Sequence, residues 1–304
     1  MKPLSFIIIT YNRPADMLEL LQNICDLDSA SELLEEVIVV NNASIDDYSR
    51  VKEFINSTST LSLYYFDAPE NLGVAKGRNF ALAKGKAPLI IMLDDDAVLQ
   101  NKDCLNNLLD EFKNNNTEKP KAIVSFKVLY YDNLQMQKNA LPHKHFDEYK
   151  NKSFFETYYY AGGAHAIKRE VIEKLGEYPA DFYYGMEEYD LAYRILDAGY
   201  SIVYSDKITM LHKESPLGRK PKKEKLQMMW LNKSKVAWRY LPKKYFYSTA
   251  LMWSLQYLKE TGFDIKGFFT SWKKIFNISA TEKRAPIKQA TMDYLRKVKA
   301  RLWY

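Results

Sequence analysis

Four short apolar runs mark the first hundred residues: "LSFIII" (4–9), "EEVIVV" (35–40), "LSLYYF" (61–66) and "PLIIML" (88–93). Runs this short, rich in β-branched residues and bounded by polar or turn-forming residues, predict buried strands. Between them the apolar positions recur with helical spacing. "ADMLELLQNI" follows Pro14, which suits a first helical turn. "SIDDYSRVKEFIN" begins at Ser44, placed to N-cap a helix whose first turn carries Asp46 and Asp47. "NLGVAKGRNFALAKGK" (71–86) predicts a glycine turn leading into a further helix. Strands alternating with helices over short connections predict an α/β domain with a mostly parallel central sheet.

In such sheets ligands bind beyond the carboxyl ends of the strands. Thr10-Tyr11-Asn12, Asn41-Asn42, Asp67 and Asp94-Asp95-Asp96 each follow a predicted strand end. Four strands therefore deliver polar groups to one edge. After residue 120 the pattern changes. "AIVSFKVLYY" predicts another strand, and residues 132–157 a long polar loop. "TYYYAGGAHAIKREVIEKLG" predicts a strand, a bend at Gly162-Gly163, a further strand and a helix. "FYYGMEEYDLAYRILDAGYSIVYSD" predicts an acidic loop, a helix closing near Gly199, and a strand.

Composition narrows the class. The chain has 304 residues, 47% of them hydrophobic, enough for one large core with or without an appendage. Its two cysteines, Cys25 and Cys104, form neither a disulfide framework nor a zinc site, which fits a reducing cytoplasm. "MKPLSFIIITYNRP" is too short in its apolar part for a secretory signal and is expected to be a first strand. No run reaches the roughly 18 apolar residues of a membrane span. The net charge of +6 is split: residues 1–212 hold 22 Lys+Arg and 32 Asp+Glu, whereas residues 213–304 hold 22 and 6. A basic tail on an acidic body suggests an anionic surface as partner. No nucleic-acid-binding motif accompanies the charge, so nucleic acid is not expected.

The unusual feature is "PLIIMLDDDAVL", where a buried strand runs into three carboxylates. Acids this close disfavour one another's ionisation, and a hard divalent cation such as Mn(II) or Mg(II) resolves the conflict. Two metal chemistries compete. "LDDDAVL" fits the first motif of a haloacid-dehalogenase-type phosphatase, but that motif opens its domain and needs a later acid pair absent here. The alternative is a nucleotide-sugar glycosyltransferase. "IIITYNRP", "VIVVNNASIDD", "NLGVAKGRNFAL", "LDDDAVL", "GMEEYDLAYRILDAGYSIVY" and "ITMLH" together resemble, in order, the motifs of the family 2 glycosyltransferases of GT-A fold, over roughly residues 4–213.

That resemblance implies an inverting enzyme of the hexosyltransferase class and assigns roles. A UDP, dTDP or GDP sugar would lie across Thr10, Tyr11, Asn12, Arg13, Asn41, Ser44, Gly73, Arg78, Asp94 and Asp95. The metal would be held by Asp94, Asp96 and His212. Asn41 departs from the usual aspartate, so the base is left open. Glu188 aligns with the catalytic base, a longer side chain than the usual one, with Glu187 as the other candidate. Gly162, Gly163 and Asp190 would flank the acceptor, a glycan or lipid-linked hydroxyl; Asp190 also stands one helical turn before Arg194. The expected organisation is a catalytic domain over 1–215, with a nucleotide-binding half (1–100) and an acceptor half (120–215), followed by a basic, aromatic, helical region over 216–304. Trp230, Trp238 and Trp253, set among lysines and arginines, suggest an interfacial helix on an anionic membrane, peripheral at the inner face of the plasma membrane. The non-catalytic alternative is a GT-A-like scaffold that has lost activity.

Overall fold

The computed structural model describes residues 1–303. The chain runs β1 (Leu4–Thr10), α1 (Pro14–Cys25), α2 (Ala30–Leu33), β2 (Leu34–Asn41), α3 (Ser49–Ser57), β3 (Leu63–Asp67), α4 (Gly73–Leu82) and β4 (Leu89–Asp94). It continues with β5 (Ala97–Leu99), α5 (Cys104–Lys113), β6 (Lys121–Tyr130), α6 (Phe146–Tyr149), β7 (Phe154–Thr157), β8 (Ala164–Lys168), α7 (Arg169–Leu175), α8 (Glu187–Asp197) and β9 (Ser201–His212). The last helices described are α9 (Lys222–Tyr240), α10 (Lys243–Thr261), α11 (Ile265–Phe276), α12 (Ile278–Thr281) and α13 (Gln289–Lys297).

One sheet holds the strands in the order β3-β2-β1-β4-β8-β6-β9-β5, with β7 also paired to β9. Strands β3, β2, β1, β4, β6 and β9 run one way, and β8, β5 and β7 run against them. The sheet is therefore mixed but mostly parallel, as expected. Side chains alternate across it. Phe6 and Ile8 of β1 join a core with α1, α3 and α5, while Ile7 joins a second core on the opposite face. Burial on both faces explains why these strands are continuously apolar.

Several expectations are corrected. Helix α3 starts at Ser49, so Ser44 caps nothing. The chain turns first at Ala43, in the left-handed region (φ 59°), and the Asp47 carboxylate takes the Ser49 N–H at 2.8 Å. The strand before the glycine pair is β7, and it ends at Thr157; the rings of Tyr158 and Tyr160 leave the sheet and are buried in the second core. Glu187 and Glu188 open α8 rather than occupying a loop. Gly199 does close that helix, with φ +88°.

The largest correction concerns the tail. Trp230, Trp238 and Trp253 are 0%, 8% and 5% exposed, so they form no interfacial belt. The indole N–H groups of Trp230 and Trp238 donate to the carbonyls of Ala250 and Glu282, both at 3.0 Å, the partners a buried indole requires. The second core runs without a break from Ile7 to Leu302, so α9–α13 and the sheet share it.

Two buried histidines give the fold an acid sensitivity. His165 lies between the Ala161 carbonyl and the Tyr178 hydroxyl, each at 3.0 Å, and burial, aided by the Arg78 charge, pushes its pKa down to about 3. Burial takes His143 down to about 4, against the raising effect of the Val298 carbonyl. In the unfolded chain both titrate near 6.5. Between these values the unfolded state holds more protons, so stability is intact above about pH 6.5 and is lost as the pH falls, by roughly 2 kcal/mol for each histidine at about pH 4.5. The melting temperature is expected to drop between neutral and acid pH, and His165→Gln to flatten part of that drop; parallel pH profiles for the two proteins would remove His165 from the account.

Candidate active site

Strand register builds the edge. Thr10 pairs with Asn41, Asn41 with Asp67, and Ile9 with Asp94, so the four strand ends finish in line. The turns beyond them lock together. Asn12, at φ 55°, accepts the Ile45 N–H through its side chain at 2.9 Å, and its own N–H donates to Ser44 Oγ at 2.9 Å. Asn41 accepts the Ser44 N–H at 3.0 Å and donates to Asp67 at 2.9 Å. The outward carboxylate at this corner therefore belongs to Asp67, whose side chain is 58% exposed. Thr10 is buried, with its hydroxyl 2.6 Å from that of Tyr48. Gly73 opens α4 at φ +72°, where a Cβ would stand 2.5 Å from the Tyr183 carbonyl.

The three carboxylates fare differently. Asp95 accepts the Tyr11 N–H at 3.1 Å and Arg13 Nη1 at 2.8 Å. Burial pushes its carboxyl up to about 6, opposed by Arg13 and reinforced by Asp96. Asp96 is fully buried, 3.2 Å from Arg13 Nη1, and takes the Ser215 N–H at 2.9 Å. Burial would raise it, but His212, Arg13 and Ser215 outweigh that and hold it below the usual carboxylate range. Asp94 faces outward, its side chain 45% exposed. The antiparallel pairing of β5 with β9 sets Ala97 opposite His212 and so brings the imidazole to the triad. His212 Nε2 lies 3.3 Å from Asp96 Oδ1, an oxygen with no hydrogen-bond partner among the described residues.

Asp94, Asp96 and His212 each offer one ligand atom, all within 4.8 Å of one another. Two carboxylates, one with an unsatisfied buried oxygen, and one imidazole suit a Mn(II)- or Mg(II)-sized ion completed by phosphate oxygens. Gln137 orients the ring. Its Oε1 lies 2.9 Å from His212 Nδ1 and its amide donates to Glu214 at 2.6 Å, so an Nδ1–H has its acceptor and Nε2, facing Asp96, is the atom that would meet a metal.

Arg78 joins this centre to the acid pair. The buried guanidinium is 3.0 Å from Glu187, 3.4 Å from Glu188 and 3.9 Å from Asp94. Glu187 is buried, and burial together with the Glu188 charge holds its pKa well above the carboxylate range against the pull of Arg78. The Glu188 side chain is 18% exposed. Successive left-handed residues, Gly185 and Met186, launch α8, and Asn232 of α9 donates to the carbonyls of Tyr184 and Gly185 at 3.1 and 2.9 Å. Gly162 and Gly163 let two carboxylates approach the backbone: a Cβ would displace the Glu188 carboxylate at the first and the Asp94 carboxylate at the second. Asp190 does not join the group. It turns toward the α8–α9 junction, where Arg194, Arg239 and Tyr240 hold it at 3.1, 2.9 and 3.0 Å.

A cavity of about 660 Å³ lies over this edge. Tyr11, Asn12, Arg13, Gly73 and Arg78 line it, as do Asp94, Asp95, Asp96 and His212. So do Asn42, which the sequence placed at a strand end, and Tyr183, Glu214, Arg219 and Lys225, which sequence reasoning did not single out. Asn42 takes the Leu72 N–H at 2.9 Å and so fixes the entrance to α4. Residues 215–219 are strapped across the rim, with Arg13 donating to the carbonyls of Leu217 and Ser215 at 2.9 and 3.0 Å. The signal for Arg219 and Lys225 was the basic run "GRKPKKEK" (218–225), separated from "ITMLH" by five residues; Gln137, in a polar loop, carried none.

A cavity at the strand ends of a mixed, mostly parallel α/β sheet fits a GT-A-type transferase, and sequence and structure comparisons agree. The pattern of glycosyl transferase family 2 matches residues 5–176. The chain belongs to that family and is a nucleotide-sugar glycosyltransferase, which removes the phosphatase reading of the same carboxylates. An uncharacterized protein of Haemophilus influenzae is 28% identical over 178 residues, 58% of this chain and 92% of that protein. The O-antigen chain rhamnosyltransferase WbaN of Salmonella anatum is 24% identical over 185 residues, and the match spans 58% of this chain and 56% of the rhamnosyltransferase. Among solved structures, the mannosyltransferase PcManGT of Pyrobaculum calidifontis, in complex with GDP-Man and Mn2+, has a TM-score of 0.62 at 20% identity, covering 98% of this chain and 79% of its own. TarS of S. aureus in complex with UDP-GlcNAc has a TM-score of 0.64 at 17% identity, covering 91% and 81%. No helix of the described residues is long and apolar enough to cross a membrane.

Proposed function

We propose that this glycosyltransferase moves a hexosyl group, with inversion, from a nucleoside-diphosphate sugar to a hydroxyl of a glycan or lipid-linked acceptor, using Mn(II) or Mg(II) at Asp94, Asp96 and His212. The observation that carries the reading is one adjacency. The ligand cluster and Glu188 are joined through a single buried arginine, Arg78, at the edge of one cavity. The relatives support it: one neighbour is in complex with GDP-Man and Mn2+, another with UDP-GlcNAc, and a curated relative builds O-antigen chains.

Asp94, Asp96 and His212 would hold the divalent ion, which would supply charge stabilisation for the departing diphosphate. Arg13, Arg219 and Lys225 line the same cavity and add positive charge where the phosphates leave. The nucleoside lies toward Asn12 and the Asn41–Asp67 corner, where Asp67 is the acceptor for a base N–H. Glu188, the more exposed of the pair, accepts the proton of the acceptor hydroxyl. As it does so, the hydroxyl oxygen bonds to the anomeric carbon and the bond to the diphosphate oxygen breaks. A lipid-linked acceptor places the protein in the cytoplasm, peripheral at the inner face of the plasma membrane.

The test is thermal stabilisation by UDP, GDP and dTDP, each with and without Mn(II), on the wild type and on Asp96→Ala. A ligand that binds only the folded state raises the melting temperature. One nucleotide is expected to stabilise in a metal-dependent manner, by about 3 kcal/mol near a hundredfold excess over its Kd, and Asp96→Ala to abolish the metal dependence. Absence of any nucleotide effect would favour the inactive scaffold.

A further inference from the structure

Helices α10 and α11 bury one side against α9 and turn the other to solvent, and large apolar side chains stand among the charged ones they expose. Of the sixteen large hydrophobic side chains exposed among the described residues, eight lie within residues 247–276. Tyr247, Leu251 and Leu255 recur one turn apart on α10, and Phe269 and Phe276 stand on the outer side of α11. Between the helices Phe263 has a φ of 62°, an uncommon conformation for an aromatic residue, and its ring is 70% exposed. Trp253 lies in the core and takes no part, while the half-buried Trp272 stacks on Phe276.

The charge on this face has one sign. Residues 243–276 hold six lysines and two acids. Both acids are committed to α9: Glu260 lies 2.7 Å from Lys222, and Asp264 lies 3.8 Å from Lys223 while also capping α11. None of the six lysines is in an ion pair among the described residues. A second copy of the chain would bring the same unpaired positive charge to the contact. A surface of opposite charge with an apolar interior fits both properties, because exposed aromatic and aliphatic side chains enter the headgroup boundary while lysines meet anionic headgroups.

Tyr183 and Lys220 line the main cavity and also a smaller one of about 250 Å³, whose far wall is formed by Ser271 and Lys274 of α11.

We infer that the α10–α11 face, through Leu251, Leu255, Phe263 and Phe269 with Lys259, Lys266 and Lys273, docks the enzyme peripherally on an anionic lipid bilayer. The inference rests on the lipid-linked part of the functional reading and is independent of the donor site. It is tested by flotation of the full chain with vesicles of phosphatidylglycerol and phosphatidylethanolamine, and with vesicles of phosphatidylcholine alone. The wild type is expected to float with the anionic vesicles, more weakly with the zwitterionic ones, and less in high salt. Leu251→Ser/Leu255→Ser/Phe269→Ser is expected to lose at least about tenfold in vesicle affinity, and Lys266→Gln/Lys273→Gln to lose the preference for anionic lipid. Both variants should keep the wild-type melting temperature and any nucleotide-induced rise in it. A wild type that does not float, or a serine variant that floats as well as the wild type, overturns the inference. So does a wild-type dimer that the serine variant abolishes without any vesicle binding, which would assign the face to a second copy. A failed donor reading would appear as a missing nucleotide effect and leave the flotation result unchanged.

Discussion

Glu188→Gln is expected to lower sugar transfer by roughly 10²–10⁴-fold, the range for a positioned general base, while leaving nucleotide-induced stabilisation at the wild-type level. The amide keeps the side chain's shape and its contact with Arg78 but cannot take a proton. Glu187→Gln is the matched control. Glu187 is buried and its pKa is raised by burial and by the Glu188 charge, so it is already disposed to hold a proton, and a glutamine there should cost about tenfold or less. The deciding comparison is kcat for the two variants on one donor and acceptor. A large loss in Glu187→Gln with activity retained in Glu188→Gln would exchange their roles.

Arg78→Met should be the most destabilising single change at the site. The guanidinium is buried and faces three carboxylates, with Glu187 nearest at 3.0 Å. Removing one partner of a buried ion pair costs about 3–5 kcal/mol, because the remaining charge is uncompensated. The loss has a pH signature. The Glu187 pKa in the folded chain lies above its ordinary value of 4.5, and without Arg78 it rises further. In that window the folded state holds a proton that the unfolded state does not, so stability falls as the pH rises. Urea midpoints of Arg78→Met should therefore be lower at about pH 9 than at about pH 6. Adding Glu187→Leu should recover stability and remove the slope. A midpoint that is independent of pH in Arg78→Met would show that Glu187 is not the group left stranded.

Much of this centre was legible in the chain because parallel strands place their ends together. Once the strands ending at Thr10, Asn41, Asp67 and Asp94 are recognised, their polar followers must share an edge. His212 was reached only through resemblance, since its nearness to Asp96 depends on the pairing of β5 with β9, two segments separated by more than a hundred residues. Gln137 and Asn232 were not legible at all. Each acts through a pair of hydrogen bonds set by long-range packing, and local pattern carries no trace of that. The tryptophans show the opposite failure. Aromatic residues among lysines give the same local pattern at a membrane interface and on a helix whose inner face is buried, and only the tertiary partner distinguishes them. Ser44 was misread for a local reason: a left-handed residue at Ala43 redirected the chain before the helix began.

The hydrogen bonds from Asn232 to the turn before α8, and from Arg239 and Tyr240 to Asp190, bear on how such an enzyme can be recombined. The helix that presents the acid pair is held on one side by the sheet and on the other by α9. A chimera joined near residue 215 would give that helix a foreign neighbour and an exposed core, so the acid pair would lose its footing although every catalytic residue was retained. A junction between α7 and α8 would carry α8 and α9 together, and would keep the packing that holds the acid pair as one inherited block.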